Sequence, residues 1–287
     1  MKAGINYPFH TSKIRLKDAG EVNYIDEGAG PETILFIHGL ANYALGWMKN
    51  IEYLRQRYRC VAIDLPGNGL SERGDYPFSI NYFTDVVIEL IEKLGLKNLS
   101  LAGHSMGGQI AITAMLREPA IADRLILCAP AGFEVFTPFE MSIYQGGLHF
   151  ADFFTSEEQS LTKLLRTSFY HNTQQADTMI MDLVELLRGQ PLKQYRKMVD
   201  ACIHGMLHEP VYNSLHLLTC PTLVIFGERD ALIPNRLIHP RTTRSIAEEG
   251  AGRIPGAELH ILQQAGHFVQ WEKAERVNQL IDSFLQK

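Results

Sequence analysis

The chain is short of the features that mark several protein classes. It has four cysteines in 287 residues, Cys60, Cys128, Cys202 and Cys220, far apart and without a Cys-x-x-Cys pair. That spacing gives no zinc-ribbon or disulfide framework. Cys60 and Cys128 lie inside apolar runs, where buried free thiols are expected. An excess of one charge sign is also lacking. Lys+Arg number 27 against 32 Asp+Glu, for a net charge of −5, and neither sign forms a long run. Nucleic acid or an anionic membrane surface is therefore not expected as the main partner. No apolar stretch is long enough to span a bilayer, and Met1 to Pro8 has no apolar core of the kind a secretory signal needs. Together with unpaired thiols, this argues for a reduced, cytoplasmic protein. Internal repeats and low-complexity segments are missing as well.

What is present is a rhythm. At 46% hydrophobic residues the chain can bury a substantial core, either as one large domain or as one domain carrying an insertion. Lys13–Lys17 and Glu21–Ile25 read as two short strands around a turn at Ala19-Gly20. Continuous apolar runs follow at Thr33–Ile37, Tyr58–Asp64, Asn98–His104 and Arg124–Cys128. Between them lie helix-compatible stretches, Ala44–Gln56 and Asn81–Leu94, the second stopped by Gly95. Unbroken apolar strands alternating with helices indicate an α/β fold with a mostly parallel sheet, covered by helices on both faces.

The rhythm changes after Pro130-Ala131-Gly132. From Phe133 to Leu218 there are helix-like segments (Ser156–Thr167, Gln174–Leu187, Leu192–Ile203) and no convincing buried strand. Strands resume at Cys220–Gly227 and Ala257–Leu262, and a helix over Glu272–Leu285 closes the chain. Residues 1–132 and 219–287 are thus expected to form one α/β core, with 133–218 as a helical insertion.

The chemistry gathers at strand ends. Gly103-His104-Ser105-Met106-Gly107 is a Gly-x-Ser-x-Gly string between a strand and a helix. In that setting it is a nucleophile elbow: a sharp turn holds the serine in a strained conformation with its Oγ clear of the sheet. The glycines lack side chains that would collide where strand and helix approach so closely. The helix start also turns its free N–H groups towards charge developing beside Ser105. Asp230 stands just beyond the strand ending at Gly227, and His267 just beyond the last strand, in Gly266-His267-Phe268. Ser105, Asp230 and His267 therefore share the carboxyl edge of the sheet, where open α/β sheets bind ligands.

With His38-Gly39 after the third strand, Asp64-Leu65-Pro66-Gly67-Asn68-Gly69-Leu70-Ser71 after the fourth, the elbow, Asp230 and Gly266-His267, the chain resembles a capped α/β-hydrolase of the serine esterase/lipase type. Members usually carry a histidine where Asn68 stands, a change that bears little on the catalytic groups. The resemblance implies an acyl-enzyme mechanism with Ser105 as nucleophile, His267 as base and Asp230 as the acid that orients it. It also implies an oxyanion hole from the backbone N–H groups of Leu40 and Met106. Neither a metal nor an organic cofactor is called for, and the partner is a small-molecule substrate.

Each group also has a plainer reading. Glu228 stands near enough to Asp230 to be the acid if the loop is shifted. His104 reads as packing, and His38 as a support for the oxyanion loop. His204 and His208, four apart and followed by Glu209, invite a metal site, but Gly205 weakens a helix there and the string is not His-Glu-x-x-His. Phe133, Phe136, Phe139, Tyr144, Phe150, Phe153 and Phe154 line an acyl pocket or form the core of the insertion. Arg236, Arg241, Arg244 and Arg253 read as a solvated face rather than an anion clamp.

Several functions remain open at this level, thioester hydrolysis and cofactor-free perhydrolysis among them. Hydrolysis of a carboxylic ester of a small to medium apolar substrate leads. Cleavage of a carbon–carbon bond in an enol-diketone shares the same three residues. A slow-turnover small-molecule receptor is the alternative of another class. Ser105 excludes the dehalogenases and epoxide hydrolases of this fold, which need an aspartate there. Oligomeric state is not legible in the sequence.

Overall fold

The computed structural model describes residues 6–145, 165–170, 174–188 and 192–287. Its frame is an eight-stranded sheet in the order β1-β2-β4-β3-β5-β6-β7-β8. The strands are β1 (Thr11–Leu16), β2 (Gly20–Glu27), β3 (Thr33–Ile37), β4 (Arg59–Ile63), β5 (Leu99–His104), β6 (Arg124–Cys128), β7 (Thr222–Gly227) and β8 (Glu258–Leu262). The first hairpin joins antiparallel, and every pairing from β4 to β8 is parallel.

The apolar runs dictate this placement. Every residue of β3, β5 and β7 is buried, as a strand covered on both faces requires. Side chains alternate between two cores. In β3, Leu35 and Ile37 enter the core beneath α2 (Ile80–Leu94) and α3 (Met106–Arg117). Ile34 and Phe36 enter the opposite core, beneath α1 (Met48–Leu54) and α9 (Ala274–Leu285). α2 is bounded by local chemistry: Ser79 accepts the Tyr82 N–H at 3.0 Å at its start, and Gly95, at φ +57°, ends it.

Between β6 and β7 lie α4 (Pro138–Gln145), α5 (Gln174–Arg188), α6 (Leu192–His208) and a 3₁₀ turn at Tyr212–Leu217. The expected helix at Ser156–Thr167 falls largely outside the described residues; 165–167 are helical. α5 buries Ala176, Met179, Ile180, Leu183 and Val184, a stripe at helical spacing, in the α1/α9 core. α6 buries Tyr195, Met198, Val199, Cys202 and Ile203 in the other core.

Two helices depart from expectation. α6 runs through Gly205 to His208, and the glycine is the reason the packing works. A Cβ there would stand 3.0 Å from the Ile80 nitrogen, so its absence lets α6 lie against the start of α2. The closing helix, α9, begins at Ala274 rather than Glu272, and a short α8 (Val269–Glu272) precedes it. Glu272 ends α8 with its carboxylate turned back onto the Gly266 and Tyr170 N–H groups, both at 2.8 Å. α7 (Thr243–Gly252) fills the connection from β7 to β8. All four cysteines are buried free thiols. Among the described residues no helix is long and apolar enough to cross a membrane.

Candidate active site

The connections leave β3 and β5 in opposite directions, to β4 on one side and β6 on the other, which opens a crevice at the carboxyl ends of those two strands. Leu40 follows β3 and Ser105 follows β5, so both stand at that crevice.

Ser105 has φ +53° and ψ −120°, a conformation that costs a non-glycine residue about 1–3 kcal/mol. Neighbouring backbone holds it there. The Ser105 N–H donates to the Cys128 carbonyl (3.0 Å), and its own carbonyl accepts from Ala131 and Gly108 (both 2.9 Å). A Cβ on Gly103 would collide with the Gly107 carbonyl, and one on Gly107 with the Ile37 carbonyl. Met106 takes the first position of α3, where an N–H has no acceptor within the helix.

Asp230 and His267 meet from the ends of β7 and β8. His267 Nδ1 lies 2.8 Å from Asp230 Oδ2, and both side chains are buried. The other carboxylate oxygen accepts the N–H groups of Leu232 (2.8 Å) and Ile233 (3.0 Å). With Nδ1–H donated to Asp230, a neutral His267 presents the lone pair of Nε2. Glu228, by contrast, is part-exposed, with a carboxylate oxygen 3.9 Å from Arg229.

The histidines around this pair have defined tasks. His38 Nε2 accepts the Leu65 N–H (3.0 Å), so Nδ1 carries the proton and donates to the Gly39 carbonyl (2.8 Å). Burial lowers its pKa from the usual value. His104 does more than pack. Its Nε2 donates to the His267 carbonyl (3.0 Å) and its ring lies 4.8 Å from that of His267. Burial first, and then the proximity of His267, holds its pKa well below the usual value, so the imidazole is neutral. The His267 N–H in turn donates to the Ser168 carbonyl at 2.9 Å. No sequence motif pointed to the parts that His104, Ser168 and Glu272 play in holding this loop.

Ser105, His267, Leu40 and Ala41 line one cavity of about 490 Å³, within the usual range for small-molecule sites. Its other walls are mainly apolar, among them Phe136, Leu183, Val199, Met206, Ile233 and Phe268. Of the aromatic set, Phe136 faces this cavity, Phe133 is core against Phe226, and Phe139 is 74% exposed. The side chain of Tyr144, and Phe150, Phe153 and Phe154 altogether, lie outside the described residues.

The arginines divide similarly. Arg241 and Arg244 pair with Glu249 and Glu248, Arg253 lies over the Tyr212 ring, and Arg236 reaches the cavity with Nη2 on the Asp230 carbonyl (3.2 Å). Glu134, also on the cavity, accepts from the Asn235 N–H (2.9 Å) and lies 2.6 Å from His239 Nδ1. Burial raises its carboxyl pKa. His204 and His208 stack at 4.1 Å on α6, and among the described residues no cluster of three metal-ligating side chains forms.

A serine in a strained strand-to-helix turn shares its cavity with a histidine bonded to a buried aspartate at one sheet edge, an arrangement found in a class of α/β enzyme. The profile of the Alpha/beta hydrolase family matches residues 34–280, and the chain belongs to that family. It is 28% identical over 281 residues to a 2-hydroxy-6-oxononadienedioate/2-hydroxy-6-oxononatrienedioate hydrolase of Paraburkholderia phymatum, covering 92% of this chain and 90% of that one. A probable hydrolytic enzyme from Pseudomonas aeruginosa superposes with a TM-score of 0.85 at 24% identity, covering 99% of this chain and 96% of that one. An esterase from Exiguobacterium antarcticum gives 0.80 at 19% identity, covering 96% and 99%. The two structures share the fold, and the protein is a hydrolase by family.

Proposed function

We propose that the protein hydrolyses carboxylic esters of small to medium, largely apolar substrates through an acyl-enzyme. The observation that carries this reading is the 2.8 Å contact between His267 Nδ1 and the buried Asp230 carboxylate, on the same cavity as the strained Ser105. Ser105 Oγ attacks the carbonyl carbon while His267 Nε2 takes its proton. The oxyanion is held by the N–H groups of Leu40 and Met106, the latter aided by the start of α3. Collapse expels the alcohol, which receives the proton from His267. Water then attacks the acyl-enzyme by the same route in reverse. Asp230 stabilises the imidazolium and fixes its tautomer. Residues 133–218 act as a cap whose described helices supply the apolar wall, and four buried free thiols suit a reducing compartment.

A second reading draws on one feature. Relatives at 25–28% identity are named as 2-hydroxy-6-oxononadienedioate hydrolases, and a carbon–carbon substrate bearing carboxylates needs a cationic handle. Arg236, on the cavity with one hydrogen bond of its own, supplies one. Hydrolysis of a p-nitrophenyl ester series from acetate to decanoate by wild type and Ser105→Ala separates the two. Ser105-dependent turnover with a chain-length optimum supports the esterase. Absence of ester turnover, with Ser105-dependent loss of the chromophore of a 2-hydroxy-6-oxo-dienoate, supports the other.

A further inference from the structure

The segment carrying Leu40 is anchored at both ends by the core. At one end His38 bridges the Leu65 N–H and the Gly39 carbonyl. At the other, the Ala44 N–H donates to the buried Asp64 carboxylate at 2.7 Å. Between these anchors the backbone is unusual, with Ala41 at φ +54°. Asn42 turns its side-chain oxygen onto the Tyr43 N–H (2.8 Å), and the Tyr43 ring is almost completely buried.

The Tyr43 hydroxyl finds its partner outside the sheet. It donates to Asp182 Oδ2 at 2.8 Å, across 139 residues of chain, and Asp182 stands on α5. The next residue on that helix, Leu183, lines the cavity together with Leu40 and Ala41. Burial and the adjacent Asp182 carboxylate raise the Tyr43 pKa far above the usual value, so the hydroxyl stays a donor. A hydroxyl buried this deeply is costly without an acceptor, so the loop and the helix are held in one arrangement.

We propose that Tyr43 and Asp182 are positioning residues for the oxyanion hole. Asp182, on the cap, holds the Tyr43 hydroxyl and through it the 40–43 segment, so the Leu40 N–H is correctly aimed only with α5 seated. This inference rests on the esterase reading of the site. It adds that the cap contributes to transition-state stabilisation, besides enclosing the substrate. A third anchor on a short, strained segment is what keeps a backbone donor aimed during the reaction, and misplacement by about 1 Å costs on the order of 10²-fold.

The test compares wild type, Tyr43→Phe, Asp182→Ala and Asp182→Asn on p-nitrophenyl butyrate. Each is also titrated with butylboronic acid, whose serine adduct needs the oxyanion hole, and with butyrate, which does not form one. Tyr43→Phe and Asp182→Ala are expected to lower kcat by roughly 10- to 100-fold with KM within about threefold. They weaken the boronic acid by a similar factor and leave butyrate affinity within about twofold. Asp182→Asn, which keeps a carbonyl acceptor for the hydroxyl, recovers most of what Asp182→Ala loses. Unchanged kcat in Tyr43→Phe overturns the proposal, as does a loss shared equally by boronic acid and butyrate, which marks a merely structural bond. Absence of Ser105-dependent turnover in the wild type defeats the esterase reading and this proposal with it. Ser105-dependent turnover indifferent to Tyr43→Phe defeats the proposal alone.

Discussion

Replacing Asp230 by asparagine changes one atom's chemistry and leaves the volume intact. The carboxylate accepts three hydrogen bonds: His267 Nδ1–H on Oδ2 (2.8 Å), and the Leu232 (2.8 Å) and Ile233 (3.0 Å) N–H groups on Oδ1. An amide has only one oxygen. If it faces His267, the NH₂ group abuts two backbone N–H donors, and each buried donor left unsatisfied costs about 1–3 kcal/mol. The oxygen therefore stays on the loop and the NH₂ turns to His267. Nδ1 must then be the bare nitrogen, the proton moves to Nε2, and the imidazole can no longer accept from Ser105. The expected loss in kcat on p-nitrophenyl butyrate is about 10⁴-fold, equivalent to about 5.5 kcal/mol of transition-state stabilisation. Thermal unfolding should shift by only a few degrees. Glu228→Gln, altering a part-exposed carboxylate, should stay within about twofold of wild type. An Asp230→Asn enzyme within tenfold of wild type, or a dead Glu228→Gln, refutes the reasoning.

Further expectations concern stability and fit. Gly107→Ala, whose Cβ would meet the Ile37 carbonyl, should cost more than about 3 kcal/mol in urea unfolding, whereas Gly95→Ala, in open space at φ +57°, should cost about 1 kcal/mol. His38 and His104 have folded pKa values below the usual 6.5, so the unfolded chain binds more protons than the folded one in acid. Their contribution is complete above about pH 6.5 and is lost as pH falls below it, with a slope of at most about 2.7 kcal/mol per pH unit for the two. Urea titrations from pH 7.5 to 5 read that slope, and His104→Gln should roughly halve it. Val199→Trp, filling an apolar wall of the cavity, should shift the ester chain-length optimum to shorter acyl groups, measured across the p-nitrophenyl series.

The fold was legible because its signal is local. β3 and β6 have the bounds that their apolar runs suggest, and Ser105, Asp230 and His267 each follow a strand that composition alone identifies. Boundaries moved where tertiary contacts overrode propensity. α6 continues through Gly205 because the glycine is needed against α2, and the last helix starts at Ala274 rather than at Glu272, whose carboxylate turns back to the loop of His267. What the sequence hid are pairings between distant residues: Tyr43 with Asp182, His104 with the His267 carbonyl, Glu134 with His239. None has a spacing signature, because a hydrogen bond across a hundred residues leaves no periodicity. The arginine-bearing stretch after Asp230 is likewise uniform in sequence, yet only Arg236 turns to the cavity.

The most direct measurement is titration with diethyl p-nitrophenyl phosphate, followed by peptide mass spectrometry. The account predicts one p-nitrophenolate released per chain, a diethylphosphoryl group on the peptide containing Ser105, and neither in Ser105→Ala. Phosphorylation at another residue, or an unmodified Ser105 in a folded protein, would contradict it.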